Sequence, residues 1–161
     1  MRISFDLDDT LICSNKNLPY EKDILAFLFK FWFPERLRLG TVTLIKQLIA
    51  NNHTIWIYTS SNRSTKYLRF WFSLYGIKLE GIINQEIHQR MIECGMSPKG
   101  TSKYPPAFGI DLHIDDSEGV KIEGQKHRFQ VVLIKPDDEN WTQAILEKIN
   151  NLSSKKIGST P

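Results

Sequence analysis

The chain has 161 residues, 41% hydrophobic and 24% charged, with a formal net charge of +3. That length holds about one domain with a real core, and the composition excludes disordered, collagenous and disulfide-stapled classes. The basic residues are scattered, so a nucleic-acid face built on bulk charge has little support, and a solvated surface explains them better. Cys13 and Cys94 stand far apart without CxxC or Cys/His spacing, as reduced thiols of a cytosolic protein do. Arg2 and Asp6 interrupt any apolar leader, and the longest apolar run, ILAFLFKFWF at 24–33, is too short for a bilayer and contains Lys30. A cytoplasmic protein without a membrane partner is expected.

In chain order, residues 2–7 read as a strand of β-branched and aromatic residues that runs into the aspartates of FDLDDTLI. Residues 21–33 read as a helix apolar almost all round, closed by Pro34. Val42, Leu44, Ile45, Leu48 and Ile49 recur at helical spacing, and Asn51-Asn52 supplies the stop. TIWIYT at 54–59 is a second buried strand. A helix follows from Ser64 to Tyr75, with Tyr67, Leu68, Phe70, Trp71 and Leu74 on its apolar side and Gly76 beyond it. GIIN at 81–84 reads as a short strand, and 85–106, polar and carrying three prolines, as mainly loop. LHID at 112–115 and QVVLIK at 130–135 are further strands, and 140–150 a last helix. The catalytic unit is thus expected over 1–150, with 151–161 a disordered tail of small polar residues.

Alternating strands and helices predict a doubly wound α/β fold around a parallel sheet. Such sheets bind ligands beyond the carboxyl ends of their strands. Three strands here end in polar groups: Asp6-Leu7-Asp8-Asp9, Thr59-Ser60 and Asp115-Asp116. Residues two apart share a strand face, so Asp6 and Asp8 are expected to point the same way. Crowded like charges need a proton or a cation to relieve them. With Asp115 or Asp116 added, the site is a hard, oxygen-only cluster of the kind that suits Mg²⁺. Asp9 is better read as a cap or turn residue, and His113 as a satisfied core or edge histidine.

FDLDDTL resembles the first motif of the haloacid dehalogenase (HAD) superfamily, an apolar strand followed by DxDx[TV]. IWIYTS resembles the second motif, Lys103 stands where the lysine of the third is expected, and LHIDDS resembles the fourth in its paired-acid form. The resemblance runs over roughly residues 1–135 and implies a Rossmann-like core with a minimal cap or none. It implies a Mg²⁺-dependent phosphomonoester hydrolase with Asp6 as nucleophile, through an aspartyl-phosphate, and Asp8 as general acid and then base. Thr59 and Lys103 would hold the phosphate oxygens. Mg²⁺ would lie among Asp6, the Asp8 backbone carbonyl and Asp115. Lys66 and Lys99 compete with Lys103 for the phosphate-lysine role, and Asp116 with Asp115 for the cation. Ser60 and Arg63, just past Thr59, are candidates for phosphate or substrate contact, against a helix cap and a solvated charge.

The intervals that carry cap domains in this superfamily are short here, about 25 residues each (13–38 and 76–101). The first holds Ile24, Leu25, Phe27, Leu28, Phe29, Phe31, Trp32 and Phe33, more apolar residues than one helix face uses. The expectation is that some of them cover the site or form a homodimer contact, with Phe29 and Trp32 the most outward pair. Alternatives to a general phosphatase acting on a phosphorylated substrate are a nucleotidase or nucleic-acid end phosphatase, and a catalytically idle binding module of the same fold.

Overall fold

A computed structural model describes residues 1–12, 14, 15, 17–22, 27–29 and 31–157. Five parallel strands form one sheet: β1 (Arg2–Phe5), β2 (Thr54–Tyr58), β3 (Gly81–Ile83), β4 (Leu112–Asp115) and β5 (Val131–Leu133), in the order β3-β2-β1-β4-β5. The helices are α1 (Thr41–Ala50), α2 (Thr65–Leu74), α3 (Gln85–Glu93), α4 (Glu118–His127) and α5 (Trp141–Ile157), with a 3₁₀ turn at Pro105–Phe108. The fold is the doubly wound α/β sheet that the sequence predicts.

Register explains how one sheet serves two purposes. Ile3 lies opposite Ile55 and Leu112, and Phe5 opposite Ile57 and Ile114, so these residues share a face. They join Leu44, Ile45 and Leu48 of α1, Leu68, Trp71 and Phe72 of α2, and Trp141, Ile145 and Ile149 of α5 in the main core. The alternate positions point the other way. There Ser4 lies opposite Trp56 and His113, and Tyr58 and Ile83 pack in a smaller cluster with Ile87 of α3 and Phe108. The second face is therefore the polar one, and it leads to the candidate site.

Several elements differ from expectation. Residues 85–93 form α3 rather than loop, with the Asn84 side chain accepting from the Ile87 amide at 3.1 Å. Its sequence is mostly polar and buries only His88, with Ile87, Met91 and Ile92 its few apolar residues at helical spacing. Helix α4 has the same cause, burying only Val120 and Gly124. Helix α5 continues to Ile157, so 151–157 is helical and not a disordered tail. Leu152 extends the Ile145–Ile149 stripe and packs against the core. Residues 158–161 lie outside the described residues.

The expected helix at 21–33 is not continuous. Phe27 and Leu28 are helical, the chain turns at 31–32, and Ile24 and Leu25 lie outside the described residues. Phe29 is not outward: its ring meets Phe70 of α2 at 6.0 Å, and Phe33 stacks on Tyr67 and Phe70 at 4.7 and 5.5 Å. Phe27, Leu28, Phe31 and Trp32 are the exposed members. Two aromatics four apart thus dock on α2, while the described Phe27, Leu28, Phe31 and Trp32 stay exposed. Among the described residues no helix is long and apolar enough to cross a membrane.

Candidate active site

The residue following β1 is Asp6, whose amide donates to the Ile114 carbonyl at 2.8 Å; the residue following β2 is Thr59, whose amide donates to Ile83 at 2.9 Å. Asp115 is the last residue of β4. Since β2, β1 and β4 are neighbours, Thr59, Asp6 and Asp115 stand side by side along the carboxyl edge. The strand order reverses between β1 and β4, where open parallel sheets leave a crevice.

Lys103 closes that crevice. It comes from the loop between α3 and the 3₁₀ turn, is 3% exposed, and its Nζ donates to Asp6 Oδ1 and, at 2.6 Å, to Asp115 Oδ2. Lys66 and Lys99, the competing lysines, are exposed on the surface. Asp115 is held from two further sides. The Ser117 amide donates to its Oδ1 at 2.9 Å, and His113 Nε2 lies 2.8 Å from its Oδ2. An ionised carboxylate only accepts, so Nε2 carries the ring proton and Nδ1 accepts from the Ser4 hydroxyl at 2.8 Å. Burial pushes the His113 imidazole down, which keeps it neutral in this role. His113 is the satisfied histidine expected of it, and it also orients the acid two residues on. Ser4 and His113 each precede an acid by two positions on the same strand face. That alternation is the sequence signal for this support.

The two acids that share Lys103 are pushed apart. Burial is the main influence on Asp6 and raises its carboxyl to about 7, with the Asp115 charge adding to the rise and Lys103 opposing it. Burial also pushes Asp115 up, but the hydrogen bond from His113 and the charge of Lys103 outweigh it and hold the group well below the usual carboxylate range. Lys103 itself is pushed up despite its burial, because two carboxylates flank it. Asp116 is raised by burial and by Asp115, and accepts from the Thr10 hydroxyl at 3.3 Å.

The carboxylates of Asp6, Asp115 and Asp116 place one oxygen each within 4.8 Å of one another. With one ammonium among them, two formal negative charges stay unmatched when all three acids ionise. That excess fits a hard divalent cation in charge and in donor type. A buried Asp6 raised to about 7 is the expected state of such a cluster while only a proton relieves it.

Asp8 stands apart. The chain turns at Asp9, a non-glycine residue at φ 58°, whose Oδ1 accepts from the Ser14 amide at 3.0 Å, as a turn residue would. Asp8 is half exposed and is not a member of the Asp6–Asp115–Asp116 group. Both its oxygens accept from Arg63, at 2.8 Å each, and Arg63 Nε also reaches Glu35 at 2.9 Å. Tyr67 donates to the other Glu35 oxygen. Arg63 thus meets Asp8 and not the Asp6–Asp115–Asp116 group. Glu35 was not legible in sequence, since nothing local marks it as a partner for a residue 28 positions away. Ser60 is exposed. The neighbouring Ser61 amide donates to the buried Thr59 Oγ1 at 3.1 Å.

No family model and no curated protein matches this sequence. Among solved structures, the chain is similar to a predicted HAD-like family hydrolase from Porphyromonas gingivalis, at 14% identity and TM-score 0.50, over 92% of this chain and 97% of that one. It is also similar to a chain of the Pnkp1/Rnl/Hen1 complex, at 12% identity and TM-score 0.51, over 82% of this chain and 44% of that one. At these identities the likeness is one of fold, and the fold it identifies is HAD-like.

Proposed function

We propose that the protein is a Mg²⁺-dependent phosphomonoester hydrolase that works through an aspartyl-phosphate on Asp6. One observation carries the reading: Asp6 and Asp115, buried at the crevice between β1 and β4, are bridged by the buried ammonium of Lys103. Such an arrangement stabilises an attacking carboxylate and an arriving phosphate together, and nothing in the packing of the fold calls for it.

In the first step an Asp6 oxygen attacks phosphorus. The new P–O bond forms as the ester P–O bond breaks, and the leaving oxygen takes a proton from Asp8. In the second step Asp8 takes a proton from water as the water oxygen attacks phosphorus, which releases inorganic phosphate and restores Asp6. Lys103 acts as a point charge against the phosphate oxygens, and the Thr59 hydroxyl donates to another. When bound by Asp6, the Asp8 backbone carbonyl, Asp115 and Asp116, Mg²⁺ supplies the charge neutralisation that lets a carboxylate approach a phosphate anion. Asp8 reaches the leaving oxygen once its pair with Arg63 opens, and Arg63 is then available to the substrate. A cleft of about 280 Å³, walled by Ser14, Tyr20, Glu35 and Arg36 among others, shares Glu35 with that network.

Asp6→Asn tests the reading, because the amide is nearly isosteric and a far poorer nucleophile. Turnover of a generic aryl phosphate should vanish while the circular dichroism spectrum stays that of the parent. Activity within about tenfold of the parent contradicts covalent catalysis by Asp6.

A further inference from the structure

We infer that Tyr58 and His88, with Glu123 on the opposite side, are positioning residues that clamp the loop carrying Lys103. The inference rests on the reading of Lys103 as the phosphate lysine. A lysine has a long flexible stem, so an ammonium held between two carboxylates needs a fixed Cα beneath it. Residues 101–104 belong to no helix or strand, and no ladder of backbone bonds fixes them. Side chains from three elements do so instead.

On one side stands a proton-ordered chain. His88 Nε2 lies 2.9 Å from the Thr101 carbonyl, which can only accept, so Nε2 carries a proton and, in the neutral ring, Nδ1 is an acceptor. The Tyr58 hydroxyl, 2.6 Å from Nδ1, therefore donates to it, and its oxygen accepts the Tyr104 amide at 2.8 Å. Both side chains are at most 1% exposed, so no water substitutes for either partner. On the other side, Glu123 of α4 accepts from the Ser102 amide at 2.9 Å and the Lys103 amide at 3.2 Å, and from the Ser102 hydroxyl. Every residue from 101 to 104 is thus tied through its backbone. The Tyr58 ring also lies 5.6 Å from the His113 ring, which orients Asp115. One phenol immediately before Thr59 thereby touches the supports of both partners in the Lys103–Asp115 pair.

The test uses Tyr58→Phe, which keeps the ring and removes the hydroxyl, in the full chain with and without Lys103→Met. Hydrogen exchange at the Ser102 and Lys103 amides, which bond to Glu123 and not to Tyr58, should become severalfold faster in Tyr58→Phe. Exchange at Ile3 and Phe5 in β1 should stay at the parent rate. Turnover of an aryl phosphate should fall about 10- to 100-fold through kcat, as when a group that orients an active-site side chain is lost. It should fall no further when added to Lys103→Met. Unchanged exchange in the loop overturns the clamp, and an equal fall in both backgrounds shows that Tyr58 does not act through Lys103. A parent without phosphatase activity would defeat the hydrolytic reading alone, since the exchange measurement still decides the clamp.

Discussion

Asp6 is 6% exposed, and its burial has a consequence for stability that can be measured apart from catalysis. Its carboxyl ionises near 3.8 in the unfolded chain and at about 7 in the folded one. Between those values the folded state binds more protons, so the stability this group contributes is full below 3.8 and is lost as pH rises to about 7. Asp6→Asn removes that titration. In EDTA the variant should melt above the parent at pH 8, with the gap closing toward pH 4, in scanning calorimetry across pH. Parallel melting curves for the two proteins would mean that burial is not what raises the group. Asp115 acts in the opposite sense, because it is the acid that stays ionised beside Lys103. Asp115→Asn deletes a charged oxygen from the cluster and should raise the Mg²⁺ concentration for half-maximal turnover. An unchanged Mg²⁺ requirement would place the cation elsewhere.

The elements test a different part of the account. Helix α5 passes residue 150 because Leu152 keeps the stripe of Ile145 and Ile149 on the core. Leu152→Ala should therefore cost about 1–2 kcal/mol in urea unfolding, below the ~2–5 kcal/mol of a fully buried leucine. No loss would mean that the last turns contribute nothing. On the other face, Gly81 lies opposite Trp56 in the β2–β3 ladder, and a Cβ there would sit 2.2 Å from the indole. Gly81→Ala should destabilise by about 1–3 kcal/mol through overpacking, and a neutral result would show that the indole moves aside freely. The aromatic segment divides between anchors and exposed rings. Phe29 and Phe33 dock on α2, whereas Phe31 and Trp32 are 86% and 69% exposed. If the exposed rings cover the site or meet a second copy, Phe31→Ser with Trp32→Ser should change turnover or mass in solution. A monomer with parental turnover before and after would remove both roles.

At the scale of the whole molecule, what was legible follows from how each residue declares itself. The strands are short runs of β-branched and aromatic residues, so all five and their common edge could be read. Asp6, Lys103 and Asp115 could be read because motif order and strand ends place them together. Helices α3 and α4 could not, because each is mostly polar and buries only one or two residues. The Asp8–Arg63–Glu35 network was equally hidden, since it joins residues far apart whose local sequence carries no trace of the pairing. The central claim remains that Asp6 becomes phosphorylated, and an acid quench tests it most directly. Protein mixed with Mg²⁺ and an aryl phosphate should be stopped during turnover, digested and weighed peptide by peptide. One phosphoryl group on Asp6, lost in EDTA and absent from Asp6→Asn, is the predicted result; steady turnover with that phosphoryl group on another residue, or on none, contradicts it.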